Sequence, residues 1–143
     1  MRESAAIIAD LNIYCGSDTT WRGLDGLIGE LFQSPVSVAG LNALFGVFER
    51  HPTHDGFGVF WTILHGIESV PAYEPQLLLS LYSRPNLFAV YMVNRILNAG
   101  NREYNGVSWV TVLRKISSLA DIEPEIRDQA KKYLERHASL SDD

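Results

Sequence analysis

All six prolines of this chain stand at the ends of apolar stripes with helical spacing, and that punctuation limits the fold more than any other feature. Trp21, Leu24, Leu27, Ile28, Leu31 and Phe32 recur at three- and four-residue intervals, the mark of one amphipathic face, before Pro35 stops the run. Val38, Leu41, Leu44, Phe45 and Phe48 repeat the pattern, with Ser37 at the N-cap position and Pro52 just beyond the end. A third stripe of Phe57, Phe60, Ile63, Leu64 and Ile67 ends at "VPAYEP", and a shorter helix from about Glu74 to Tyr82 closes at "SRPN". "LFAVYMV" is apolar on all sides, as expected of a helix enclosed by neighbours at the centre of the core. Gly100 then suits a left-handed C-cap, and "NREYNGVS" reads as a turn leading to Trp109, Val112, Leu113, Ile116 and Leu119. The last helix begins near Asp121 and Pro124 and carries Ile126, Ala130, Tyr133 and Leu134.

Residues 4–14 offer a further helix, against which the β-branched Ile7, Ile8 and Ile13 argue. No alternating run of any length supports strands. The expectation is one all-α domain over residues 1–143, with seven or eight helices and a frayed tail at 139–143. Helix starts near 20, 37, 57, 74, 86, 108 and 123 can be paired into irregular antiparallel hairpins whose first members are 37, 29 and 37 residues apart. Such spacings resemble helical repeats, whose units run about 34 to 47 residues. No residue signature of a known repeat recurs, so an orthogonal helical bundle is the other packing to expect.

A chain of 143 residues with 46% hydrophobic and 20% charged residues can bury one core. Its formal charge of −5 favours cationic partners and disfavours direct contact with a phosphate backbone. Cys15 is the sole cysteine, which excludes an intrachain disulfide and a cysteine-based zinc cluster. The opening residues hold only a five-residue apolar run before Asp10, and nothing approaches the roughly 18 apolar residues of a membrane span. A cytoplasmic protein without membrane contact is expected.

Three of the four histidines lie between Glu49 and Ser69. His51, His54 and Asp55 offer nitrogen and oxygen ligands in one short turn, and His65 and Glu68 share a helix face one turn apart. Against a metal, no H-E-x-x-H is present, and ligands confined to one loop rarely complete a shell. The His54-Asp55 pair resembles the doublet of the all-α metal phosphohydrolases named for it, but there the doublet lies within a helix. Here it follows Pro52 by two residues and precedes Gly56. The favoured reading makes Asp55 a cap for the next helix, with Gly56 and Gly58 permitting a tight turn, and His65–Glu68 a surface pair. Phe57, Phe60 and Trp61 are then core or partly buried surface. No catalytic residue, metal ligand or cofactor site is assigned.

"GLDGLIG" spaces Gly23, Gly26 and Gly29 along one helical face, where each costs roughly 0.8 to 1 kcal/mol relative to alanine. Close packing against another helix is expected there, ahead of a partner surface. Arg95, beside an apolar run, needs an acceptor, and Glu49 or Glu68 can supply it. Cys15 lacks the surroundings of a nucleophile.

The strings "FERHPTHDGFGVFWTILHGIE" and "YEPQLLLSLYSRPNLFAVYMVNRILNAG", within residues 40–100, resemble small all-helical immunity proteins of contact-dependent inhibition and related polymorphic toxin systems. The resemblance implies a cytoplasmic, non-enzymatic protein that binds one cognate toxin domain, expected to be basic, as a nuclease domain would be, and blocks it without turnover. Carboxylates and aromatic anchors would form such a surface, and Asp18, Asp25, Glu30, Asp55, Glu68, Tyr73, Glu74 and Tyr82 are the candidates. A helical-repeat scaffold for a peptide or protein, and a metal-dependent hydrolase using His51, His54, Asp55 and His65, are the alternatives.

Overall fold

The computed structural model describes residues 2–15 and 21–138. Helices α1 (Ser4–Ile13), α2 (Arg22–Leu31), α3 (Val38–Arg50), α4 (Val59–Glu68), α5 (Glu74–Ser83), α6 (Leu87–Asn98), α7 (Trp109–Ser117) and α8 (Pro124–Ala138) follow one another in chain order. The fold is all-α, and each helix expected from the apolar stripes is present. The tail at 139–143 lies outside the described residues. Among the described residues no helix is long and apolar enough to cross a membrane.

Side-chain caps set several helix starts. Ser37 Oγ accepts from the Gly40 N–H at 3.1 Å, Asn86 Oδ1 from Ala89 at 2.9 Å, and Ser108 Oγ from Thr111 at 3.3 Å. Each answers one amide that the first helical turn leaves unpaired. The turn expected at "NREYNGVS" is a small hairpin, with β1 (Glu103–Tyr104) antiparallel to β2 (Val107–Ser108). Asn105 and Gly106, at φ 48° and 81°, make the left-handed pair that a two-residue hairpin loop requires.

The buried apolar side chains form one cluster from Ile7 to Ala130. Its centre is α6, which buries Phe88, Ala89, Val90, Met92, Val93, Ile96 and Leu97 against α3, α4, α5, α7 and α8. That all-round burial is what a run apolar on every side demands. Of the two packings expected, the contacts fit a bundle wound about α3 and α6. The hairpins α2–α3 and α4–α5 that a repeat would need are not among the well-packed pairs, whereas α1–α3, α2–α4, α3–α5 and α6–α8 are.

Polar ties fix what apolar periodicity leaves loose. α1 buries only Ile7 and Leu11, and its C-terminus is held by Arg50 of α3. The guanidinium Nη2 donates to the carbonyls of Leu11 and Tyr14 at 2.7 and 3.0 Å, and Nε donates to Tyr14 at 3.3 Å. A cation at the negative end of a helix also meets its dipole favourably. The buried Asn86 donates to Ser80 Oγ and to the Arg84 carbonyl, both at 3.0 Å, which joins α5 to α6.

Two expectations are corrected. Gly26 and Gly29 of α2 do not mark close packing, because a methyl group at either would meet nothing within 4 Å. Close approach occurs instead at Gly66 of α4, where a Cβ would lie 2.6 Å from the Phe32 ring. Phe57 is not core: it is 68% exposed and lies in a left-handed turn before α4 begins.

Candidate functional site

The segment between α3 and α4 is built around an indole. Trp21, buried at the start of α2, meets the His51 ring edge-on at 4.8 Å, the His54 ring at 5.0 Å and Phe60 edge-on at 5.3 Å. His54 Nδ1 accepts from the Gly56 N–H at 2.7 Å, and Asp55 Oδ1 accepts from the Phe57 N–H at 3.0 Å. The Asp55 carbonyl accepts from Gly58 and Phe60 as well, at 3.0 and 3.2 Å. Asp55 is therefore a cap, as expected, although it serves the short 3-10 turn Gly56–Gly58 ahead of α4 rather than α4 itself.

Gly56, Phe57 and Gly58 all have positive φ, at 57°, 52° and 91°. A Cβ at Gly56 would lie 2.5 Å from the buried Phe60 ring, so this position admits only glycine in both conformation and space. The turn that results aims Phe57 outward.

His51 and His54 both pack on the Trp21 indole, whereas His65 pairs with Glu68 on α4. Burial holds His51 below the usual histidine range, reinforced by Arg50 and His54, and its Nε2 is buried without a hydrogen-bond partner. His54 Nδ1 is occupied by a backbone amide, and His65 lies exposed 3.8 Å from Glu68. No three His, Cys, Asp or Glu side chains among the described residues come together as a metal-holding group.

Beside this turn, α4, α6 and α8 form an aromatic face. Trp61 lies parallel to Tyr91, with ring centres 5.5 Å apart and planes 5° from coplanar, and meets Phe88 at 4.9 Å. Tyr91 continues to Tyr133 of α8 at 6.5 Å, edge-on. Two hollows flank the stacked pair and share it. One, of about 400 Å³, runs to Thr53, His54 and Asp55; the other, of about 370 Å³, runs to Asn94, Asn98, Gln129 and Tyr133. Burial raises the Tyr91 phenol above its ordinary value, with Tyr133, Asp55 and Glu125 adding to the shift.

Farther along, Glu68 receives Arg95 in a two-pronged pair at 2.7 and 3.0 Å, the acceptor expected for that guanidinium. With Arg95 42% exposed, the pair lies at the surface. It borders a third hollow of about 430 Å³ that Tyr73 also lines. Burial pushes the Tyr73 phenol up to about 12, with Glu74 and Glu68 contributing.

Of the expected partner-binding set, Asp55 lines the hollow beside Trp61 and Tyr91, and Glu68 and Tyr73 line the third, with Glu74 beside Tyr73 at the start of α5. The others lie apart. Asp25 borders a shallow hollow with Arg22 and Phe57, and Glu30 is held by Arg2. Tyr82, 48% exposed on α5, sits under the Lys115 ammonium at 4.8 Å. Asp18 lies outside the described residues. Trp61, Tyr91 and Tyr133 were not among the candidates, because aromatics at helical spacing read as core. One signal was present: Trp61 falls a full 100° step off the Phe60, Ile63, Leu64, Ile67 stripe.

The chain matches no protein-family model, no curated protein and no solved structure.

Proposed function

We propose that this chain is an immunity-type inhibitor, which binds a basic cognate toxin domain in the cytoplasm and blocks it stoichiometrically, without turnover. The observation that carries the reading is the Trp61–Tyr91 stack, with Trp61 39% exposed and Asp55 lining the same hollow. Large aromatic side chains supply most affinity at protein interfaces, and carboxylates around them steer and select a cationic partner. The strings that resemble immunity proteins, within residues 40–100, carry Asp55, Trp61, Glu68 and Tyr91.

Co-expression with the toxin domain encoded beside it tests the proposal. A one-to-one complex should co-purify and growth should be protected, while Trp61→Ala should lose both and keep its helical circular dichroism. Failure to form a complex, or full protection by the Trp61→Ala chain, would count against it.

A further inference from the structure

We infer that the hollow between the 51–58 turn and the Trp61–Tyr91 pair is a seat for one arginine side chain of a protein partner. Its walls are aromatic, from Trp61, Phe88 and Tyr91, and its rim carries the Asp55 carboxylate, 68% exposed. Among the described residues no lysine or arginine lines it. Glu30 is engaged by Arg2 and Glu68 by Arg95, whereas Asp55 lines this hollow. The basic group nearest Asp55 is the His54 imidazole at 4.0 Å, whose Nδ1 accepts the Gly56 N–H.

The geometry selects the ligand. Asp55 is fixed in position because its Oδ1 accepts from the Phe57 N–H, so the carboxylate is oriented before anything binds. An apolar anchor would strip water from that carboxylate and return nothing. A guanidinium answers both features, because its plane stacks on an indole or phenol face while its fork of N–H donors meets a carboxylate. An ammonium has the charge without the plane. Who presents the arginine rests on the inhibitor reading; the seat itself does not.

The test uses N-acetyl-arginine methylamide as probe, followed by NMR at the Trp61 indole N–H, with that signal assigned through Trp61→Phe. A saturable shift is expected, at least about threefold weaker for the lysine analogue, and absent for the norleucine analogue. Asp55→Asn keeps the cap on Phe57 but removes the charge, and should weaken the arginine probe roughly threefold to tenfold. No saturable shift, an equal response to norleucine, or an unaltered Asp55→Asn titration would overturn the seat. A chain that binds the arginine probe but forms no complex with the toxin domain keeps the seat and removes the inhibitor reading. An Asp55→Asn chain that loses the probe yet protects cells undiminished refutes the seat as a partner anchor and leaves the inhibitor reading standing.

Discussion

His137 Nε2 lies 2.8 Å from the Asn94 amide oxygen and so joins α8 to the central α6 inside the core. Both residues are buried, at 4% and 8% exposure. A neutral imidazole donating its Nε2–H satisfies the amide oxygen, and a charged ring there would be costly.

Stability should therefore fall on mild acidification. Burial holds His137 below the ordinary value of 6.5, aided by Arg136 and Arg102, and burial does the same for His51, aided by Arg50 and His54. Below pH 6.5 the unfolded chain takes up protons that the folded chain refuses, so the contribution is whole above that pH and is lost as pH falls toward the folded values. Each group contributes a slope of at most about 1.4 kcal/mol per pH unit. Glu49 works the other way, since its burial raises a carboxylate and favours protonation in the folded state. Urea midpoints from pH 7.5 to 5.5 for the native chain and His137→Gln share that opposing term, and the glutamine variant should show the shallower slope. Equal slopes would refute the assignment to His137.

Glycine positions should respond to alanine with opposite signs. Gly26→Ala and Gly29→Ala enter open space on an exposed helix face, and each should stabilise by roughly 0.8 to 1 kcal/mol. Gly56→Ala combines φ of +57° with a Cβ 2.5 Å from the buried Phe60 ring, and should cost more than about 2 kcal/mol. Thermal melts of the three single variants check the signs.

Phe57→Asn should stabilise the isolated protein. The left-handed conformation costs a phenylalanine about 1 to 2 kcal/mol, which asparagine largely avoids, and a side chain 68% exposed returns little burial. The expected gain is up to about 1 kcal/mol by denaturant titration. A loss of stability would mean that the ring packs in solution.

Arg50→Met should loosen α1 in particular. It removes three hydrogen bonds to the Leu11 and Tyr14 carbonyls while keeping the apolar stem, at a cost of about 2 to 3 kcal/mol. Amide exchange should accelerate across Ala6–Ile13 while α7 and α8 remain protected. Uniform acceleration over the whole chain would point to global unfolding instead.

Helix positions were readable from the chain alone, because apolar spacing, Ser37 and the prolines act within a few residues of the backbone they control. The centrality of α6 was readable too, since a run apolar on every side has no solvent face to offer. The Asn105-Gly106 hairpin was readable in principle, but strands of two residues leave no alternation to detect. Helix partners were beyond local reading: α1 pairs with α3 and α2 with α4 because buried area is maximised across the bundle, and loop order does not specify it. The same holds for the hollow. Trp61 and Tyr91 have the composition of core residues, and only the tertiary packing leaves Trp61 39% exposed and stacked on Tyr91 in a hollow that Asp55 also lines. Local chemistry fixed which segments coil and where they stop; long-range packing decided which apolar side chains were left over at the surface.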